Sequence, residues 1–511
     1  MSKILESINR LVWGAPALAL ILGVGLFFTV RSRFAQITLL PRAIRSFISE
    51  PSKKEGKEGM VSSFQALCTA LAATVGTGNL AGVAGAIAIG GPGAVFWIWI
   101  SGVLGMITKF AEATLAVRYR VKDANGEYTG GPMYMIRNGM GDRFRFLAAT
   151  YSFFGVAAAF GVGNATQINA VITGVNEAII AFGGAESTFG NLLMGVGLAV
   201  LIGTMLLGGM KRIGKIAEQM IPAVSAVYLI LGLGVLIARA QAIDDAFVAI
   251  LQGAFSPQAV TGGAVGSVFL TLRIGISRGV FTNEAGMGTA GIAHGSSNVS
   301  HPVQQGLMGI VEVFVDTIVI CTMTALVILV SGVPIPYGED IGVALTTQAF
   351  SSVYGQWVSV VLALALCFFA IATVLGWGLY GARCAQYLFG ANVWKKFVLI
   401  QSVTVVAASV LKTGTVWLLS ETVNGLMAIP NLIALATLSP ELIRLIIEYK
   451  HGLRKSKASG GTNESFNQRE SMRAVSYAQI PPYGGAGEKR RKDHLPSEYR
   501  SAGSADSPGI L

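Results

Sequence analysis

The constraint that dominates this chain is a succession of apolar runs, each long enough to cross a bilayer. About 20 apolar residues at 1.5 Å rise span the hydrocarbon core as a helix. Runs of that kind fall near 12–30, 61–89, 93–117, 146–180, 190–210, 216–237, 263–290, 303–331, 355–381, 396–411 and 414–436. Backbone polar groups left unpaired in lipid cost several kcal/mol each, so runs of this length read as helices. The chain therefore reads as an all-α polytopic membrane protein of about 11 transmembrane helices. The fourth run exceeds a straight crossing, so a strong tilt or an interfacial turn is expected there.

Composition agrees. Charged residues make up 13% of the 511 residues and mean hydropathy is +0.60, against about 25% charged in soluble proteins. The net charge of +11 then reports topology rather than nucleic-acid binding, because lysine and arginine avoid the apolar body. Connections after the odd-numbered runs hold 19 of these residues; the N-terminus and the other connections hold 4. The positive-inside rule places the N-terminus outside and the C-terminus in the cytoplasm. Arg31 and Arg33 follow the first run where a signal peptide would need a small-residue cleavage site, so that run reads as a retained helix. Residues 1–60 form this helix and a basic connection, 61–450 the core, and 451–511 a disordered tail rich in Ser, Gly and charge, whose KRRK cluster reads as solvated. The four cysteines form no CxxC pair, and the four histidines have no metal-ligand spacing. No cofactor is implied, and no HExxH or GxSxG motif suggests an enzyme.

Two runs are interrupted. Residues 70–93 read ALAATVGTGNLAGVAGAIAIGGPG, and residues 271–290 read TLRIGISRGVFTNEAGMGTA. Close helix packing through small residues explains Gly78 and Gly82; Gly-Thr-Gly-Asn in succession also fits an unwound stretch. Unwound backbone at membrane depth survives where it lines a cavity, its amides suiting a carboxylate and its carbonyls a cation. The two interruptions lie five runs apart, so 61–237 and 263–436 form two sets of five inserted in opposite orientation, with the first helix additional. Paired broken helices in one chain point to a transporter with a midplane site rather than to a channel filter.

The run RGVFTNEAGMGTA at 278–290, with GTGNLAGVA at 76–84 and GGPMYM at 130–135, resembles the alanine or glycine:cation symporter family over residues 12–450. The resemblance implies a LeuT-like 5+5 inverted repeat in a prokaryotic inner membrane. It implies Na⁺-coupled uptake of a small neutral amino acid, alanine or glycine, with proton coupling as the alternative. By the same likeness, amides of Thr77 and Gly78 face the substrate carboxylate, and Asn79 and Thr373 also belong to the substrate site. Carbonyls of Ala72, Val75 and Ala370 with the Thr373 hydroxyl form a sodium site, hard oxygen being what an alkali cation requires. Val374 stands where the LeuT pattern has a second hydroxyl, so this site has one ligand fewer or takes water. A second sodium site would use Asn79 and Thr271.

Other polar residues have two readings each. Trp377, one turn beyond Thr373, caps a small pocket or sits at the interface. Gln167 binds substrate or bridges helices. Lys109 and Glu112 are spaced to pair within the third run. Glu312 and Asp316 share a helix face, with Arg273 or Arg278 as counter-charge; they are gating pairs, or proton carriers if Na⁺ coupling is wrong. In the second interruption, 271–277 is the expected break, Ile274 and Gly275 line the pocket opposite Gly78, and Asn283 and Glu284 hold a gate by pairing with arginine.

Overall fold

A computed structural model describes residues 9, 12–49, 59–123, 126–339, 342–411 and 414–458. Each apolar run holds helix. In chain order these are α1 (Ala15–Arg31), α2 (Leu40–Ser49), α3 (Ser63–Thr74), α4 (Val83–Gly90), α5 (Ala94–Arg118), α6 (Arg145–Phe160), α7 (Thr166–Ala181), α8 (Thr188–Leu206), α9 (Gly209–Ala238), α10 (Ile243–Phe255), α11 (Val268–Asn283), α12 (Thr289–His294), α13 (Pro302–Val330), α14 (Val343–Tyr354), α15 (Trp357–Phe389), α16 (Trp394–Ala408), α17 (Gly414–Thr437) and α18 (Ser439–Ala458). A two-stranded hairpin, Val121–Lys122 with Tyr128–Thr129, follows α5. Among the described residues, six helices are long and apolar enough to cross a membrane, or eight if each of two bent pairs is one span. That falls short of the expected eleven, because glycine breaks divide some runs and α1 and α16 are short. α18 runs past the expected boundary at 450, to Ala458. The remaining tail, 459–511, lies outside the described residues.

The first break is built by its own sequence. Ser62 and Gln65 close a reciprocal capping box at the start of α3. The helix ends at Val75, which is extended at φ −75°, ψ 108°. Gly76 and Thr77 follow, then a wide π turn over Gly78–Gly82 and α4, with a bend of 51° between the halves. Asn79 fixes the break: its Oδ1 accepts the Gly76 amide at 2.8 Å. That amide would close on the Ala72 carbonyl in a continuous helix. The Asn79 amide likewise donates to Gly76 O rather than to Val75 O. Ala72 and Val75 carbonyls are thereby released from their helical partners.

The second break lies about two helical turns beyond the expected segment, at 284–288. α11 runs unbroken through 271–277 to Asn283, since Ser267 caps it and the glycines there serve packing. Gly275 abuts Ala94 and Trp97, and Gly279 abuts Ser101. The chain turns at Glu284 (φ 53°), Gly286 (φ 97°) and Gly288 (φ 78°) before α12. Left-handed backbone is natural for glycine and uncommon for glutamate. Two further π turns, Gly161–Ala165 between α6 and α7 and Phe314–Cys321 inside α13, contact the first break or the helices lining it; such turns frequent functional sites.

Connections after alternate runs gather on one face. Tyr128 N donates to Gly59 O and Asn298 N to Val61 O; Arg383 pairs with Asp123 and Glu127; Arg118 pairs with Glu441. On the opposite face, Thr271 Oγ1 donates to Gly90 O and Gly338 N to Ala88 O. The basic connections thus share a face, as the counting rule requires.

Candidate functional site

The first break meets α7 and α15. A Cβ added to Gly76 would lie 2.8 Å from Thr373 Oγ1 and 3.8 Å from Gln167 Oε1. Thr77 Oγ1 donates to Gln167 Oε1 at 3.1 Å, while Gln167 Nε2 donates to Val162 O, which the π turn exposes. Gly376 packs on Ala73 at a spacing that would put its Cβ 2.9 Å from that of Ala73. Thr77, Gly78, Asn79, Gln167, Ala370 and Thr373 are all buried. The absent side chain at Gly76 is what lets a hydroxyl, a carboxamide and released carbonyls converge in one place. Oxygen donors around unpaired backbone suit a hard monovalent cation and a zwitterion.

Trp377 is fully buried, so the interfacial reading fails. Its ring packs beneath Gly163, and its Nε1 donates to Glu284 Oε1 at 2.9 Å. The other oxygen of Glu284 accepts from Thr289 Oγ1 at 2.7 Å. Glu284 therefore ties the second break to α15, and tryptophan rather than arginine is its partner. Asn283 also departs from expectation: its Nδ2 donates to Thr317 Oγ1 and its Oδ1 accepts the Ala285 amide.

Ile274 and Gly275 are not opposite Gly78. Ile274 packs at Gly90 and Gly275 on Ala94 and Trp97, whereas Gly78 faces Thr282 at 3.1 Å from the position of a Cβ. The break in α11 lies C-terminal to these residues, so they belong to a helix–helix seam. The second sodium site is also not assembled: Thr271 bonds Gly90 O at the outer seam. Asn79 Nδ2 donates to Asp316 Oδ1 at 2.8 Å and Asp316 O at 3.1 Å.

The ion pairs differ from those expected. Lys109 Nζ lies 3.1 Å from Glu312 Oε1, and His294 Nε2 lies 2.9 Å from Glu312 Oε2. Three elements, α5, α12 and α13, meet on that carboxylate. Glu112 is turned away from Lys109: its Oε1 accepts the amides of Gly286 at 2.9 Å and Gly288 at 3.0 Å and the Asn431 Nδ2 at 2.8 Å. Residues three apart on a helix can pair, but each charge here finds a better-placed partner on a neighbouring helix. Asp316 accepts from Asn79 and from Thr317 Oγ1 at 2.9 Å, which separates its role from that of Glu312. Neither arginine serves these carboxylates: Arg273 lies on the exposed side of α11 and Arg278 is half-buried.

Sequence reasoning missed three residues. His294, to which the sequence assigned no role, is fully buried at the end of α12. Gln305 bonds His294 Nδ1 at 2.7 Å and Ser63 Oγ at 2.6 Å, so it joins α12 to α3. Asn431 bridges Glu112 and Gly286 O at 2.9 Å. A polar amide inside an apolar run was the available signal for Asn431 and Gln305.

Comparison with known proteins bears on this geometry. A model of the sodium:alanine symporter family matches residues 1–463. The sodium/alanine symporter AgcS of Methanococcus maripaludis is 40% identical, covering 86% of this chain and 94% of its own. The probable sodium/glutamine symporter GlnT of Bacillus subtilis is 36% identical over 88% of this chain and 91% of its own. The crystal structure of MhsT with L-phenylalanine superposes with a TM-score of 0.53 at 15% identity, covering 77% of this chain and 99% of MhsT. That likeness establishes a shared LeuT-type fold. With two broken helices, the first of them meeting uncharged polar groups, the chain belongs to the sodium:alanine symporter family and is a cation-coupled amino-acid transporter, not an enzyme.

Proposed function

We propose that this protein couples Na⁺ entry to uptake of a small neutral amino acid, alanine or glycine, by alternating access. The observation that carries the reading is the convergence of Gly76, Gln167 and Thr373 at the break after α3. The name of the archaeal relative, a sodium/alanine symporter, supports the ion and substrate. In this reading Thr77 and Gly78 present amides to the substrate carboxylate, and Gln167 orients the zwitterion. Ala72, Val75 and Ala370 carbonyls and the Thr373 hydroxyl coordinate Na⁺, with water at the place where Val374 offers no hydroxyl. The release of Ala72 and Val75 carbonyls by Asn79 supports that assignment. Asn79 itself shapes the break rather than binding substrate, because both ends of its amide are engaged by protein. Trp377 closes the pocket and Glu284 holds its indole in place.

The crossing count proposed is eleven, one additional helix before two inverted sets of five. The basic face lies in the cytoplasm, so the N-terminus is outside. A single methyl is worth only ~1–3 kcal/mol of discrimination, so alanine and glycine are both within reach of one pocket.

The test is uptake of radiolabelled alanine and glycine into proteoliposomes under an imposed Na⁺, K⁺ or pH gradient. A Na⁺ gradient alone should drive accumulation. Equal uptake under all three rejects symport, and accumulation on a pH gradient without Na⁺ moves the coupling to protons.

A further inference from the structure

We infer that the segment from Arg31 to Ser49 is a docking site for anionic phospholipid headgroups, its arginines meeting headgroup phosphate and its apolar side chains the upper acyl region. α1 ends at Arg31, and the chain then makes a sharp turn in which two consecutive non-glycine residues, Arg33 (φ 57°) and Phe34 (φ 54°), adopt left-handed backbone. The turn is pinned internally: Phe34 N donates to Thr29 O at 2.8 Å, and Gln36 Nε2 donates to Thr29 Oγ1 at 2.8 Å. Its effect is to leave Phe34 and Ile37 about half exposed and to start α2 at the edge of the bundle.

α2 is two-sided. Ala43 is fully buried where the helix lies on the first turns of α13, and Phe47 stacks on Phe64 of α3 at 5.8 Å. Ile48 is 76% exposed, and Arg45 is exposed beside it. Residues 31–49 hold Arg31, Arg33, Arg42 and Arg45 and no acidic residue. Among the described residues none of the four has a carboxylate partner, and Arg31 rests only over the Phe27 ring at 5.7 Å. Elsewhere on the same face arginines are paired, Arg118 with Glu441 and Arg383 with Asp123 and Glu127. An unpaired basic cluster interleaved with exposed apolar side chains, directly after a membrane helix, complements an anionic bilayer surface. Through Phe47 and Phe64 the occupied site would bear on α3, the helix that carries the first break. Assignment to the cytoplasmic leaflet rests on the orientation proposed above; the binding itself does not.

The test uses the full chain in nanodiscs of phosphatidylcholine with increasing phosphatidylglycerol, followed by thermal unfolding. The midpoint should rise with phosphatidylglycerol and saturate. Each juxtamembrane basic residue contributes about 1 kcal/mol to attraction for anionic lipid, so Arg45→Gln should raise the fraction giving half the effect about fivefold. The triple variant R33Q/R42Q/R45Q should abolish the rise, and R33K/R42K/R45K should retain it. Inorganic phosphate in pure phosphatidylcholine discs should not reproduce it. A wild-type titration curve for Arg45→Gln, or an equal effect of free phosphate, overturns the proposal. Because the readout is stability, either result is separable from failure of the transport reading.

Discussion

The two breaks have similar composition and opposite internal chemistry. In the first, the freed backbone is served by neutral groups: Asn79 takes the Gly76 amide, and Gln167 and Thr373 stand against the gap. In the second, a buried carboxylate from another helix takes two amides, and Asn431 takes a carbonyl. Neutral partners leave the net electrostatics of the first break to be completed by a ligand. The carboxylate of Glu112 already supplies the anion that the second break attracts, so that break reads as a hinge. Glycine-rich interruption of a membrane helix therefore has no single meaning; what fills it decides between a site and a pivot.

This difference yields tests in descending order of effect. Glu112→Ala should be the most destabilising, by ~3–5 kcal/mol, because it strands buried polar partners. Asn79→Ala should cost less in stability, ~1–3 kcal/mol, while reducing transport more than Glu112→Gln does. Unfolding in detergent together with uptake measures both, and the reverse ranking would break the distinction. Gly288→Ala sharpens it: a Cβ there meets Pro132 and Asn431 at φ 78°, costing roughly 1–2 kcal/mol of backbone strain besides the overlap. Gly82→Ala in the first break meets only Thr282 Cγ2 at 4.0 Å and should leave the unfolding midpoint nearly unchanged.

Trp377→Phe keeps an aromatic, though smaller, ring and removes the donor to Glu284, an expected loss of ~1–3 kcal/mol seen as a raised KM for substrate. Should KM stay constant while stability falls, the indole is a strut and not a pocket cap. Thr373→Ala should cost only ~0.5–1.5 kcal/mol, since its hydroxyl donates to Phe369 O one turn back on its own helix. Its expected signature is a shift of Na⁺ activation to higher concentration with substrate affinity at saturating Na⁺ preserved. An unaltered Na⁺ curve would move the cation elsewhere.

The apolar runs made the helical class legible, and the Gly-Thr-Gly-Asn succession located the first break to within a residue or two. The second was misplaced because α11 carries glycines for packing at Gly275 and Gly279 as well as for turning at Gly286 and Gly288. Both uses look alike in one dimension. Spacing along one helix likewise suggested Lys109 with Glu112, whereas the bundle brings Glu312 to the lysine and two glycine amides to the glutamate.

What the sequence determined by itself is what local physics enforces: helix where lipid forbids unpaired backbone, alternation of faces from the basic connections, and a break where small residues and asparagine outcompete helical bonding. What only the tertiary structure decided is partnership. A buried charge is held by whichever donor the packing delivers, and Glu284 finding Trp377, or Glu112 finding the second break, depends on helices that meet more than 90 residues apart in the chain.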